Sequence, residues 1–209
     1  MVIVAQCLGL RVSEIAALQW QDFDFERQQL LVQRSIVNGR VDDVKTEYSR
    51  DHVPLHESLV EVLLEWSKKA LPTEEGWVFA SPLTNRPYHP TEIQKRHIRP
   101  AGCCLVECPK CNASCGVWCR DGQGERTAIH EERWASAGKY GSIGWHTFRH
   151  TYRSWLDETG APMKVQQELM RHASIQTTMN VYGQAMASSK REANGKVVEM
   201  VLKPVKASA

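Results

Sequence analysis

The sequence has no apolar run long enough to cross a lipid bilayer, and no charged start followed by an apolar segment. It also has little excess charge, because 26 Lys and Arg nearly balance 24 Asp and Glu, for a formal net charge of +2. The first absence excludes a membrane-spanning helix, and we expect a cytoplasmic protein with no membrane partner. The second means that composition alone does not indicate a nucleic-acid partner.

The sequence also lacks the secretion signal that would accompany a disulfide-bonded extracellular protein. Seven cysteines occur without a secretion signal, which favours a reducing compartment and metal-binding or packing roles over disulfides. A chain of 209 residues can bury a substantial core and fits one domain with a small appendage.

Clustered carboxylates are missing too. A metal-dependent nuclease or transposase needs such a cluster to hold a pair of Mg²⁺ ions. The acidic pairs Asp22/Asp24 and Asp42/Asp43 lie at predicted turns, and no motif supplies a third partner. This class of enzyme is therefore disfavoured.

What the sequence does have is a concentration of basic, imidazole and phenol groups between 144 and 182. His146 and Arg149 are three residues apart and share a helix face, His172 follows a second predicted helix that opens at Pro162, and Tyr182 lies beyond it. Guanidinium groups match the charge that develops on a phosphate under attack, and a tyrosine hydroxyl can attack once a base removes its proton. These residues suit cleavage of a phosphodiester.

The order H-x-x-R…H…Y of these four residues resembles the tyrosine recombinase (phage integrase) family. Upstream, GLRVSEIAALQW at Gly9–Trp20 resembles the family's first box, whose arginine falls on Arg11. KTEYSRDHVPL at Lys45–Leu55 resembles the hairpin that carries the family's lysine, here Lys45. One departure is Arg171, which stands where the family usually has a small glycine.

The resemblance implies a site-specific recombinase (integrase) that acts on double-stranded DNA through a 3′-phosphotyrosine intermediate. Tyr182 would be the nucleophile, and three residues would hold the phosphate: Arg11, Arg149 and His172. Lys45 would protonate the leaving 5′ oxygen, and His146 would assist proton transfer. Catalysis would need no cofactor and no small-molecule substrate, and four subunits would assemble on two duplexes in the nucleoid.

Several alternatives stay open from the sequence. Tyr152 is a rival nucleophile one turn after Arg149. Glu14 is either a partner that holds an arginine or an ordinary first-turn acid. The whole chain is alternatively a catalytically silent DNA-binding remnant or a type IB topoisomerase-like enzyme.

A cysteine-rich insert interrupts the family pattern. Its C-x-x-C knuckle, Cys108 and Cys111, is followed by Cys119 and His130, and zinc prefers four such ligands. The run also resembles a small phage-type zinc-finger module, which implies these four residues as ligands of a structural Zn²⁺, with Cys115 as a spare. The role of this module would be structural or DNA-contacting and not catalytic, and four basic residues lie nearby that could contact DNA: Lys110, Arg120, Arg126 and Arg133.

The fold implied by the resemblance is mainly α-helical with a small antiparallel β-sheet (α+β), the fold of DNA breaking-rejoining catalytic domains. We expect a catalytic domain in two parts, 1–101 and 141–209, a zinc-finger-like insert at 102–140, and no amino-terminal DNA-binding domain.

Asn38-Gly39 predicts a β-hairpin. The basic cluster Lys95–His97 lies either along DNA or on a solvated face. A tail helix at Gly183–Glu199 packs on its own subunit or on a neighbour.

Overall fold

The computed structural model describes residues 1–43, 51–171 and 187–202. The chain forms two compact units, of which the first comprises Met1–Tyr88 with Phe148–Ala209 and the second His89–Thr147. Within the described ranges, no helix is long and apolar enough to span a membrane.

The first unit begins with two short helices, α1 (Val2–Leu8) and α2 (Val12–Ala16). Gly9 ends α1 in the left-handed conformation, with φ of 58°, and an added Cβ would collide with the ring of Tyr152. Arg11 is the N-cap of α2, and its backbone N–H donates to the Glu14 carboxylate.

Two small antiparallel sheets follow. In the first, β2 (Gln29–Val32) pairs with β1 (Phe23–Asp24) and with β5 (Asp51–Pro54). In the second, β3 (Arg34–Val37) pairs with β4 (Arg40–Asp43). The turn between them is Asn38-Gly39, and both residues have positive φ, as a type I′ turn requires. The predicted hairpin is confirmed.

Helices complete this unit: α3 (Glu57–Ser67), most of α7 (Trp145–Glu158), α8 (Met163–Met170) and α9 (Ala187–Leu202). Their apolar faces meet in a core formed by Tyr152, Leu156, Val165, Leu169, Met170, Ala193 and Val197. Helix α9 packs on α1, α3, α8 and β5 of the same chain, which is the self-packed arrangement of the tail.

The second unit is built on a helical stretch from Pro90 to Cys103, comprising α4 (Pro90–Ile93), a π-helical turn (Gln94–Ile98) and α5 (Arg99–Cys103). The wider turn precedes Pro100, which has no N–H to offer the α-helical pattern. After a cysteine-rich loop come α6 (Glu131–Ala137), a 3₁₀ turn (Gly138–Ser142) and the start of α7. The core of this unit contains Cys103, Cys104, Cys108, Cys119, Ile129 and Ala137.

The expected fold class, mainly α with small antiparallel sheets, is confirmed. The second unit contains the whole of the predicted insert 102–140 and also residues on either side of it. The assignment of 102–140 as an insert in a catalytic domain stays a prediction.

Candidate active site and candidate metal centre

The turn before α2 presents Arg11. Its backbone N–H donates to Oε2 of Glu14 at 2.7 Å, and its Nη1 lies 3.1 Å from Oε1 of the same carboxylate. The Glu14 side chain is 3% exposed and the Arg11 side chain 40%. Glu14 therefore holds the guanidinium at the boundary between core and solvent, where an incoming anion can reach it.

Arg149 on α7 is buried and ties two segments together. Its Nη1 donates to the carbonyl of Gly9, and its Nη2 donates to the carbonyl of Met170. The first carbonyl lies two residues before Arg11, and the second lies at the end of α8. Of the five N–H groups of a guanidinium, these contacts use two. Arg149 thus fixes the spacing of the two chain segments around it.

Arg171 ends α8 and gives Glu14 a second basic partner. Its Nη2 lies 2.5 Å from Oε1 of Glu14, and its side chain is 1% exposed. Burial by itself raises the pKa of Glu14, but the charge and contact of Arg171, together with those of Arg11, outweigh burial and lower it. Glu14 is therefore a carboxylate at neutral pH. Of the two roles left open from the sequence, holding an arginine is the one observed.

Three guanidinium groups thus gather around one carboxylate. Burial, followed by the positive charges of Arg11 and Arg171, lowers the pKa of Arg149 to about 10, so Arg149 keeps its charge at neutral pH. Glu14 is in contact with two of them, Arg11 and Arg171. A cluster with this excess of positive charge favours an anion such as a phosphate.

Of the remaining predicted catalytic residues, three lie outside the described residues and one belongs to the second unit. Lys45, His172 and Tyr182 fall outside the described residues. His146 is exposed on the first turn of α7 and belongs to the second unit. The structure therefore brings together Arg11 and Arg149 of the predicted set, with Glu14 and Arg171.

Tyr152, the rival nucleophile, is a core residue. Its hydroxyl donates at 2.8 Å to Oδ1 of Asn194, whose Nδ2 donates at 2.9 Å to the carbonyl of Pro54. The ring is fully buried, and burial raises the pKa of the phenol above its ordinary value. A hidden hydroxyl that holds its proton this firmly cannot attack a DNA phosphate.

The second unit brings together the four predicted metal ligands. The ligand atoms of Cys108, Cys111, Cys119 and His130 all lie within 4.8 Å of one another, and Cys108 Sγ is 3.5 Å from His130 Nδ1. Tetrahedral zinc with bonds of about 2.0–2.3 Å separates its ligand atoms by roughly 3.3–3.8 Å. The donor set and its spacing fit zinc. Cys115 lies outside the cluster, with its Sγ directed at the carbonyl of Leu105.

The Cys111 thiol also loses its proton readily, as a metal ligand must. A backbone hydrogen bond from Arg120, with contacts to Ala113, Cys108 and His130, lowers the pKa of Cys111 to about 6 against the opposing effect of burial. Zinc binds thiolates, so a thiol that ionises readily needs little driving force to release its proton to solvent.

Arg133 lies inside this unit and is fully buried. Its guanidinium donates to the backbone carbonyls of Cys103, Cys104, Val106, Ser114 and Val117, and Nη1 lies 3.5 Å from Cys119 Sγ. The expectation that Arg133 contacts DNA is therefore wrong. With its charge satisfied by inward-facing carbonyls, it organises the loop that carries the ligands.

The other basic residues of the loop remain near its surface. Arg126 lies over the Trp118 ring, 3.9 Å from its centroid, and Lys110 Nζ lies 3.6 Å from Glu132 Oε1. Arg120 donates to the carbonyl of Gly124 at 2.6 Å. Contact of these three residues with DNA stays a prediction.

The family model described as "Phage integrase family" matches residues 1–99 and 124–188, well over half of the chain. The chain belongs to the phage integrase family. The residues around Arg11 and Arg149 fall inside the matched segments. A second model, described as "Putative DNA-binding phage zinc finger domain", matches residues 80–147, and this range contains the Cys₃His cluster.

Relatives and solved structures agree with this family membership. A "Tyrosine recombinase XerC-like" protein of Caldanaerobacter subterraneus is 27% identical over 210 residues, which cover 88% of this chain and 45% of the relative. The integrase of transposon Tn1549, solved in complex with circular intermediate DNA, matches with a TM-score of 0.57 at 19% identity, over 91% of this chain and 56% of that one.

A third comparison is the integrase of mycobacterium phage Brujita, with a TM-score of 0.52 at 19% identity, over 94% of this chain and 50% of that one. At such identities the structures show a common fold. The chain spans about half the length of the relatives that it matches.

Two functional candidates were missed or misjudged from the sequence. Arg171 carried a signal, since it replaces an expected glycine, but its pairing with Glu14 bridges 157 positions and no local pattern reveals it. Arg133 carried no signal, because its partners are backbone carbonyls, which no side-chain pattern reveals.

Proposed function

We propose that this chain is the catalytic part of a tyrosine site-specific recombinase that cleaves and rejoins double-stranded DNA. The observation that carries the proposal is the buried Arg149, held by the carbonyls of Gly9 and Met170 beside Arg11, within segments that match the phage integrase family. Guanidinium groups pre-placed in this way stabilise charge on a phosphate as it is attacked.

The proposed reaction conserves the energy of the phosphodiester. Tyr182 Oη attacks phosphorus and loses its proton, a 3′-phosphotyrosine bond forms, and the bond from phosphorus to the 5′ oxygen breaks. The 5′ oxygen takes a proton and leaves as a hydroxyl. A 5′ hydroxyl from another strand then reverses these steps, so no nucleotide cofactor is consumed.

Each residue has one role in this scheme. Arg11, Arg149 and His172 hold the non-bridging oxygens of the phosphate. Lys45 donates the proton to the leaving oxygen, and His146 assists transfer of the tyrosine proton. The burial of Tyr152 supports Tyr182 as the nucleophile, because it removes the rival on α7.

The assembly and the metal belong to the same proposal. Four copies on two duplexes would exchange strands, in the nucleoid where DNA is found. Zn²⁺ would be structural, because four protein ligands leave no coordination position for water or substrate. It would fix the shape of the loop between α5 and α6.

The test begins by finding a DNA site. A random double-stranded library selected for binding to the 209-residue chain supplies candidate sequences, and nicked versions of these trap the covalent intermediate. Adduct formation is then measured on denaturing gels, and the modified peptide is identified by mass spectrometry.

Changing Tyr182 to Phe should abolish the adduct while leaving DNA binding within about twofold, because only the nucleophilic oxygen is lost. The matched control is Tyr152→Phe, which removes a buried hydroxyl and should retain the adduct at a small cost in stability. An adduct that survives in Tyr182→Phe would overturn the assignment of the nucleophile.

The same substrates separate the rival functions. Activity in EDTA excludes a metal-dependent nuclease, and DNA binding is measured in parallel because EDTA also competes for zinc. Relaxation of supercoils without strand exchange would mark a topoisomerase-like enzyme. Binding to the selected sites without any adduct would mark a silent remnant.

A further inference from the structure

Arg171 occupies a backbone position that does not suit it. It has φ of 49° and ψ of 49°, the left-handed conformation in which helices commonly end with glycine. The sequence has an arginine where the family resemblance implies a glycine. A side chain placed at such a position needs a compensating interaction, and the helix end itself does not require one.

The side chain is directed into the protein rather than into solvent. It is 1% exposed, and its Nη2 lies 2.5 Å from Glu14 Oε1. Its Nε, Nη1 and Nη2 are all buried without a hydrogen-bond partner among the described residues, and of the three only Nη2 has an ion-pair contact, with Glu14. Buried N–H groups of a charged guanidinium are costly to leave unpaired, so these donors favour an acceptor that arrives from outside the protein.

The charges around Arg171 favour a negatively charged acceptor. Glu14 is shared with Arg11, and Arg149 lies close enough for its pKa to fall under the influence of both arginines. Three positive charges thus face one negative charge, an excess of two. The segment 172–186, which follows directly in sequence, contains no Asp or Glu that could add a counter-charge.

We propose that Arg171 is a third arginine of the phosphate site, which binds the DNA phosphate through its unpaired Nε and Nη1 while Glu14 holds its Nη2. The backbone holds Arg171 close to Arg149, because Arg149 donates to the carbonyl of Met170, the residue before Arg171. This inference rests on the proposed function for the identity of the phosphate as the scissile one. The proposal that Arg171 binds an anion does not depend on the proposed function.

The first experiment uses inorganic phosphate as the probe. Its binding to the full chain is measured by ³¹P NMR line broadening and by the shift in melting temperature across a phosphate titration, at constant ionic strength. Arg171→Gly should weaken phosphate binding at least about tenfold, because charge-assisted hydrogen bonds are lost. Glycine suits the left-handed backbone, so this variant is expected to fold.

A matched control removes the same charge from the same unit. Arg153→Gln lies on the exposed face of α7 and should leave phosphate affinity within about twofold, as expected for a screened surface charge. Arg171→Lys keeps the charge but not the planar fork, and should fall between wild type and Arg171→Gly. Equal phosphate affinity in wild type and Arg171→Gly would overturn the proposal and leave Arg171 with a structural role.

The second experiment distinguishes failure of this inference from failure of the proposed function. If the wild-type chain forms adducts and Arg171→Gly forms them at the same rate, Arg171 is not a ligand of the scissile phosphate. If the wild-type chain forms no adducts but phosphate binding depends on Arg171, the anion site stands and the recombinase assignment fails.

Discussion

At the scale of single residues, Arg149 illustrates why a guanidinium cannot be exchanged for another cation. It donates to two carbonyls from segments 161 positions apart, Gly9 and Met170. A lysine carries one ammonium group on a flexible stem and cannot span both acceptors while presenting a planar edge to a phosphate. The charge is only part of what this position requires.

Arg149→Lys should therefore lower the rate of adduct formation by about 10²–10³-fold, the usual effect of removing one pre-placed donor to a developing charge. The measurement is single-turnover trapping on the nicked substrate, with circular dichroism to check folding. Arg153→Lys, on the exposed face of the same helix, is the control and should react normally. A near-normal rate for Arg149→Lys would remove Arg149 from the phosphate site.

Glu14 makes the stability of the first unit sensitive to acid. Its pKa in the folded protein lies below its ordinary value of 4.5, so the unfolded chain binds a proton more readily than the folded chain. The stability that Glu14 contributes is fully present above pH 4.5 and is lost as the pH falls through the lower, folded-state pKa. Protonation would leave Arg11 and Arg171 facing each other without a counter-ion.

We expect Glu14→Gln to destabilise the protein by about 3 kcal/mol or more at pH 7, because it breaks a buried ion pair. The difference from wild type should shrink as the pH falls below 4.5 towards the lower pKa of the folded state, because the unfolded wild-type chain takes up a proton first. Urea unfolding midpoints from pH 3 to pH 7 measure this, with Glu61→Gln on the exposed face of α3 as the control. A difference that is constant with pH would contradict the assigned ion pairs.

At the scale of elements, the sequence predicted the turns and helix starts that depend on neighbouring residues. Asn38-Gly39 predicted the observed hairpin, and α8 begins directly after Pro162, where the sequence indicated that a second helix opens. The segment Gln29–Arg34 divides between the two sheets, because β2 ends at Val32 and β3 begins at Arg34. The division occurs where Gln33 and Arg34 both reach Asp22, at 2.9 and 2.5 Å.

For the candidate site, the sequence predicted which residues take part but not how they are arranged. Arg11 and Arg149 were found because their flanking residues match a family pattern. Their geometry could not be read from the chain, because it depends on Glu14 and Arg171, whose pairing is a tertiary contact between α2 and the end of α8.

At the scale of the whole molecule, the two units depend on different stabilising forces. The first has an extended apolar core. The core of the second consists largely of cysteines around the buried guanidinium of Arg133. A small unit with so little apolar burial needs another source of stability, and the proposed structural zinc ion would supply about 10 kcal/mol or more at neutral pH.

Purified, reduced protein should therefore release about one zinc ion per chain when its thiols are titrated with a mercurial in the presence of a colorimetric chelator. Cys108→Ser should lose the metal, and protease cleavage between Cys104 and Glu131 should become rapid because the loop no longer folds. Cys115→Ser is the matched control: Cys115 is exposed and outside the ligand cluster, so this variant should keep both its zinc and its resistance. Loss of zinc from Cys115→Ser but not from Cys108→Ser would place the metal elsewhere, and wild-type protein that is metal-free but resistant would show that Arg133 and the apolar contacts suffice to fold this unit.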